Sequence, residues 1–281
     1  MFDRQPAAGE LGERFHALHQ GPTLLLLPNA WDVLSARVFE EAGFPAVATT
    51  SGGIAWSLGY ADGETMPRDE ALAAIRRIAR SVAVPVTADI EGGYAGDPAG
   101  VGETVARGID CGAVGFNIED STDHHRVLRT IPEAARRIGA ARAAADRAGL
   151  PVFLNARVDV FLAPAADPAA RMAEAIARAR AYCAAGADGV YPIGLSDPAA
   201  IGEFAAAVAA PVNVWARPGG PGLAALARAG VRRVSTATAP ALVAAEAVTV
   251  LARRLRAEDD FAALAAGLAH GSLQRLIGRR A

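Results

Sequence analysis

Short apolar runs recur along the 281-residue chain at 23–27, 46–49, 85–90, 113–119, 151–157, 188–193, 211–216 and 233–237. Most are apolar at consecutive rather than alternating positions, the pattern of strands buried on both faces of a parallel sheet. Stretches rich in Ala, Arg and Glu lie between them, such as 132–148 and 168–185, and these predict helices. Glycine stands just past several helices, as in Ala42-Gly43-Phe44-Pro45 and Ala148-Gly149-Leu150-Pro151. Eight strand-then-helix units predict an α/β chain, a closed (β/α)₈ barrel of the TIM type rather than an open sheet. The first strand ends Leu27-Pro28-Asn29-Ala30, without the GxGxxG of a dinucleotide-binding turn.

No linker or low-complexity tract divides the chain, so residues 1–281 form one expected domain, with 239–281 as a helical C-terminal extension. Helices over 241–256 and around 259–276 exceed what closes a barrel, and they predict packing on a neighbouring subunit in a homo-oligomer. Hydrophobic residues make up 52% of the chain, ample for a large core, and the formal net charge of −2 leaves no basic field for nucleic acid or anionic lipid. No uncharged apolar stretch reaches the ~18 residues of a membrane span, and Met1-Phe2-Asp3-Arg4 does not begin a signal peptide. The two cysteines, Cys111 and Cys183, are expected as small core residues in a cytoplasmic setting.

Strand starts are about 22 residues apart at several points, but the second-to-third and fourth-to-fifth intervals are near 39. The surplus falls at 51–66 and 120–131, on the face where barrels build active sites. Chemistry-bearing residues gather at the same strand ends. Strand three ends Asp89-Ile90-Glu91-Gly92-Gly93-Tyr94, and residues i and i+2 of a strand point the same way, so Asp89 and Glu91 can converge. Strand four ends Ile118-Glu119-Asp120, one of whose acids should face the barrel mouth. These carboxylates predict a site for a hard, oxygen-preferring cation, Mg²⁺ first, the other reading being a helix cap and a solvated loop. Arg157, at the tip of strand five, either clamps a substrate carboxylate or forms a structural bridge to Asp159 or Glu119. Ser51-Gly52-Gly53, after strand two, offers either a nest of backbone N–H groups or a plain tight turn. Asp62 could reach the water shell of a metal. His124 and His125 could serve as acid, base or ligand, with a solvated lid as the other reading.

With these motifs in order, the chain resembles the isocitrate lyase/phosphoenolpyruvate mutase superfamily over nearly its full length. That family's strand-three Asp-Ala-Asp-x-Gly-[Tyr/Phe]-Gly is matched by Asp89-Ile90-Glu91-Gly92-Gly93-Tyr94-Ala95, with Glu for the second Asp and Ala for the last Gly. Its Ile-Glu-Asp is matched by Ile118-Glu119-Asp120, its Ala-Arg by Ala156-Arg157, its Ser-Gly-Gly by Ser51-Gly52-Gly53 and its Gly-x-Pro-Asp by Gly59-Tyr60-Ala61-Asp62. The resemblance implies metal ligation by Asp89, Glu91 and Glu119, substrate contact by Ser51, Gly52, Gly53, Asp89 and Arg157, and catalytic roles for Arg157, Glu119 and Asp62. It also implies C-terminal helices exchanged between the subunits of a dimer or tetramer.

The family's lyases carry Lys-[Lys/Arg]-Cys-Gly-His after strand four, and its P–C branches carry Glu-Asp-Lys and a Lys-x-Asn-Ser segment. Neither occurs at 121–131, which disfavours both activities. What the resemblance leaves is Mg²⁺- or Mn²⁺-dependent C–C cleavage of a small 2-oxo or 2-hydroxy di-acid through a pyruvate-like enolate. Oxaloacetate decarboxylation is the first choice and lyase action on a substituted malate the second, with Tyr60 or a loop histidine as the acid. Two other classes stay open: a 2-oxo acid binder without turnover, for 2-oxoglutarate for example, and a phosphate-binding barrel using Arg217-Pro218-Gly219-Gly220 after strand seven.

Overall fold

The computed structural model describes residues 6–122, 127–162, 167–257 and 261–278. The chain opens with α1 (Ala8–Gln20), β1 (Leu25–Leu27), β2 (Asn29–Ala30), α2 (Val33–Glu41), β3 (Val47–Thr49), α3 (Ser51–Leu58) and α4 (Arg68–Ala79). It continues through β4 (Val86–Asp89), α5 (Pro98–Asp110), β5 (Gly115–Glu119), a hairpin of β6 (Ser121–Thr122) and β7 (Val127–Leu128), α6 (Ile131–Ala148), β8 (Phe153–Val158) and α7 (Pro168–Ala184). The last third holds β9 (Gly189–Pro192), α8 (Pro198–Ala207), β10 (Val212–Trp215), α9 (Leu223–Arg228), β11 (Val231–Ser235), α10 (Ala239–Ala257) and α11 (His270–Gly278).

Nine parallel strands pair in the order β1-β11-β10-β9-β8-β5-β4-β3-β2. β1 and β2 are halves of one strand interrupted at Pro28, which has no N–H to give a ladder. β1 pairs with β11 and β2 with β3, so the ring closes across the break as the expected eight-stranded barrel. Asn29 clasps that junction. Its side-chain carbonyl accepts from the N–H groups of Thr236 and Ala237, both at 2.9 Å, and its Nδ2 donates to the Thr49 carbonyl at 2.8 Å.

Each predicted strand coincides with an observed one, although the last begins at Val231 rather than at residue 233. Two adjacent arginines, Arg232 and Arg233, hide its start: Arg232 is exposed and Arg233 is buried inside. Alternate strand residues Phe116, Ile118, Leu154, Ala156, Val190 and Val214 pack with Val105, Ile138, Ala175 and Phe204 of the surrounding helices. The inward-facing residues of these strands and of β11 are largely polar, among them Asn117, Asn155, Asn213, Arg233 and Ser235. Leu11 and Phe15 of α1 plug the opposite end of the barrel against Leu25, Leu27, Ala46, Ala48 and Phe153.

The stretch at 51–66 is not all loop, since α3 occupies its first half. At the C-terminus, the expected helix at 259–276 is a 3₁₀ turn, Ala262–Ala266, followed by α11. α11 rests on α2 of its own chain, where Arg37 donates from Nε and Nη2 to the Leu276 carbonyl at 3.1 and 2.8 Å. α10 buries none of its residues against this chain, leaving Leu242, Val243 and Val248 exposed. No helix among the described residues is long and apolar enough to cross a membrane. Cys111 is buried and Cys183 half-buried, and both are free thiols.

The plug carries a titratable group. The His19 ring stacks on Phe153 with centroids 3.8 Å apart, and its Nδ1–H donates to the Phe15 carbonyl at 2.8 Å. Burial, reinforced by the Arg233 charge, lowers its pKa from 6.5 to about 3. The unfolded chain protonates His19 below about pH 6.5 while the folded chain keeps it neutral, so its contribution is complete above that pH. Below it, the contribution falls by about 1.4 kcal/mol per pH unit until about pH 3. Urea unfolding of the wild type and His19→Gln is expected to show their stability difference falling by about 2 kcal/mol, in the direction unfavourable to the wild type, between about pH 7 and about pH 5. A difference that does not move with pH would contradict this.

Candidate active site

A cavity of about 270 Å³ opens at the C-terminal ends of the strands, and every barrel strand contributes a residue to its lining. Asp62, Asp89 and Arg157 lie in its wall, with Tyr191, Trp215 and Arg233 contributed by β9, β10 and β11.

Asp89, the last residue of β4, is held from two sides. Its Oδ2 accepts from the Ser51 hydroxyl at 2.8 Å and the Ser51 N–H at 3.2 Å, and its Oδ1 accepts from Asn117 Nδ2 at 3.0 Å. Asn155 Nδ2 then donates to Asn117 Oδ1 at 2.9 Å, which links β4, β5 and β8 through side chains. Ser51, Gly52 and Gly53 form the first turn of α3, where the Thr50 hydroxyl accepts from the Gly53 N–H as N-cap. The Ser51 N–H therefore already faces a protein anion, at the electropositive end of a helix. At Gly52 a Cβ would stand 3.0 Å from the Asp62 carboxylate and 3.1 Å from Thr238, so glycine lets Asp62 approach the helix.

Asp89 and Glu91 come close enough to interact, but not as an i, i+2 pair of one strand, because β4 stops at Asp89. Glu91 lies in the following turn at φ 51, a left-handed conformation. Its carboxylate accepts from the Tyr94 hydroxyl at 2.8 Å and the Glu64 N–H at 2.6 Å, and it is not among the residues lining the cavity. Burial pushes the Glu91 carboxyl up to about 7, with Asp89 and Asp62 adding to the shift.

Of the two acids ending β5, Glu119 faces the barrel interior. Arg157 pairs with it through Nη2 and also grips Asp159, Nε to Oδ1 and Nη2 to Oδ2, both at 2.7 Å. The structural-bridge reading of Arg157 is thus realised, and the same guanidinium lines the cavity. Burial drives the Glu119 carboxyl well above the usual carboxylate range against the pull of Arg157, with Asp159, Asp89 and Glu91 adding to the rise. Asp120 turns the other way. It accepts from the Tyr182 hydroxyl at 2.6 Å, Arg178 Nη1 at 3.0 Å and the Asp159 N–H at 2.9 Å, which pins β5 to β8 and α7.

Sequence reasoning offered Asp159 as a partner of Arg157 but did not find Arg178 or Tyr182 as members of this network. The available signal was the i, i+4 pair Arg178 and Tyr182 on an otherwise alanine-rich helix. Tyr60 is placed outside the cavity, where its hydroxyl donates to Glu70 at 2.9 Å in an exposed position. His124 and His125 lie outside the described residues. Among the described residues no three His, Cys, Asp or Glu side chains are arranged to hold a metal ion, so Asp89, Glu91 and Glu119 are not preassembled ligands. The donor chemistry nevertheless fits a hard cation. Asp62 and Asp89 lie close enough to raise the Glu91 pKa, and Asp89 and Glu91 close enough to raise that of Glu119; among the described residues no histidine or cysteine lines the cavity beside Asp62 and Asp89.

The chain matches the family model of phosphoenolpyruvate phosphomutase over residues 15–256 and belongs to that family. A Mycobacterium tuberculosis protein described as uncharacterized is 37% identical over 228 residues, covering 80% of this chain and 82% of its own. Oxaloacetate acetylhydrolase in complex with its product oxalate has a TM-score of 0.86 at 25% identity, covering 98% of this chain and 96% of its own. Phosphonopyruvate hydrolase in complex with oxalate and Mg²⁺ has a TM-score of 0.83 at 26% identity, covering 95% and 94%.

The Asp120 network predicts a large stability effect away from the cavity lining. Arg178→Met leaves Asp120 buried with its countercharge gone, and urea unfolding is expected to show a loss of about 3–5 kcal/mol. Adding Asp120→Asn should recover part of that loss. A single variant within about 0.5 kcal/mol of the wild type would contradict the assignment.

Proposed function

We propose that the chain is a Mg²⁺-dependent enzyme that cleaves a C–C bond in a small 2-oxo or 2-hydroxy di-acid, with oxaloacetate decarboxylation as the reaction to test first. The observation that carries this reading is the cavity itself, with Asp62 and Asp89 in one wall and the Arg157 guanidinium beside them. Two structural neighbours with oxalate bound support it, one of them also with Mg²⁺.

In this reading Asp89 and Asp62 hold the cation directly or through water, and Glu91 and Glu119 add negative charge behind them. Bound Mg²⁺ supplies Lewis-acid polarisation of a carbonyl oxygen and neutralises charge developing on it. Asp159 and Glu119 fix Arg157 so that its edge can meet a substrate carboxylate without reorganisation, the condition under which a donor acts most strongly. Leu162 and Ile193 in the lining limit the water around the reacting atoms. For oxaloacetate the C3–C4 bond breaks and carbon dioxide leaves. The electron pair moves toward the 2-oxo oxygen, and a proton then returns to C3. We further propose that the enzyme is a homo-oligomer, a reading supported by the exposed apolar face of α10.

Calorimetric titration with oxalate tests the site. With Mg²⁺ present, oxalate is expected to bind the wild type, and Asp89→Ala should weaken it at least about tenfold, or 1.4 kcal/mol. Binding that ignores Mg²⁺ and Mn²⁺, or survives Asp89→Ala, would overturn the metal site. If the site holds, release of pyruvate and carbon dioxide from oxaloacetate separates the favoured reaction from lyase action on substituted malates.

A further inference from the structure

The cavity has a second end that the metal-site reading does not use. Arg233 lies on β11 in register with Asn213 of β10 and Leu25 of β1, and two residues further along β10 and β11 Trp215 stands opposite Ser235. Both Arg233 and Trp215 line the cavity. Arg233 is 3% exposed, yet its Nε and Nη1 have no hydrogen-bond partner among the described residues, and neither does Trp215 Nε1. Other buried arginines in this chain meet carboxylate or carbonyl partners, although Arg137 Nε is likewise without a hydrogen bond. Arg157 sits between Glu119 and Asp159, Arg178 holds Asp120 and Glu174, and Arg137 donates to the carbonyls of Gly92, Ala95 and Gly96.

A buried guanidinium with idle N–H groups is costly, since each unmade bond forfeits the hydration it had in the unfolded chain. Burial pushes the Arg233 pKa down only to about 10, so the group remains a cation at neutral pH. No carboxylate among the described residues forms an ion pair with it. The cavity therefore has two chemically opposite walls. Carboxylates on and after β3 and β4 suit a cation with the chelating end of a ligand, while unmatched donors on β10 and β11 suit an anion.

We propose that Arg233, assisted by the Trp215 indole N–H, receives the second carboxylate of the substrate and so makes the site selective for di-acids over mono-acids. This rests on the proposed function and deepens it. Arg157 is left to the carboxylate beside the 2-oxo group, and Arg233 takes the distal one. Arg233 is a binding and specificity residue here, with no role in proton transfer.

The test compares ligands with and without a carboxylate beyond the chelating end. In the presence of Mg²⁺, oxalate, pyruvate and the non-enolisable four-carbon di-acid 3,3-difluorooxaloacetate are titrated into the wild type, Arg233→Met and Arg233→Lys. The wild type is expected to bind the four-carbon di-acid at least about tenfold more tightly than pyruvate. Arg233→Met should weaken the di-acid at least about tenfold while leaving oxalate within about twofold, and Arg233→Lys should restore part of the difference. Near-ultraviolet circular dichroism reports whether each variant keeps its packing. If Arg233→Met fails to fold, the wild-type ratio and Arg233→Lys decide the matter, because lysine keeps the charge and loses the fork.

An unchanged di-acid affinity, or an equal loss for oxalate and di-acid, would overturn the distal-carboxylate role while leaving the metal site standing. Absence of oxalate binding to the wild type with either Mg²⁺ or Mn²⁺ would instead remove the proposed function and this role together.

Discussion

Mutual repulsion among carboxylates at the mouth of a parallel barrel is the constraint around which this molecule is arranged. Asp62, Asp89, Glu91 and Glu119 are brought together by strand ends and connecting loops, and burial deprives Glu91 and Glu119 of the water that would screen them. Three of the four are answered by neighbouring donors. Asp89 is held by Ser51 at a helix N-terminus and by Asn117, Glu91 by Tyr94 and a backbone N–H, and Glu119 by Arg157. Hydrogen bonds to neutral donors offset only part of the cost of several like charges, and a divalent cation would offset much more. A protein that needed only a stable barrel would have no reason to gather these acids at one rim.

The same constraint explains the positive side of the site. Asp159 and Glu119 hold Arg157 as one ordered unit, and Asp120 is drawn away from the mouth into its own network with Arg178 and Tyr182. Two adjacent acids at the end of β5 thus have separate duties, one holding Arg157 inside the barrel and one fastening β8 and α7 to the sheet. Family membership fits this arrangement.

Much of this was legible in the sequence, for identifiable reasons. Strands buried on both sides announce themselves as apolar runs, and all eight were placed from that pattern. Asp89, Glu119, Asp120 and Arg157 stood out because charged residues at strand ends are conspicuous after such runs. The orientation of Glu91 was not legible, because the i, i+2 rule assumes an extended backbone whereas the chain turns left-handed there. Asn29 was overlooked because its clasp depends on a loop more than 200 residues away, a pairing no local pattern encodes. Arg233 went unnoticed as a cavity residue. Consecutive arginines within a strand must face opposite ways, so one of Arg232 and Arg233 had to enter the barrel.

The central claim, that the gathered carboxylates exist to place a divalent cation against a small acid, is tested most directly by crystals grown with Mn²⁺ and oxalate and measured at the manganese absorption edge. The account predicts one strong anomalous peak in the cavity, touching the Asp89 carboxylate or one water removed from it, with oxalate lying between the metal and Arg157. An anomalous map with no peak at Asp89, while oxalate is seated elsewhere in the cavity, would contradict it.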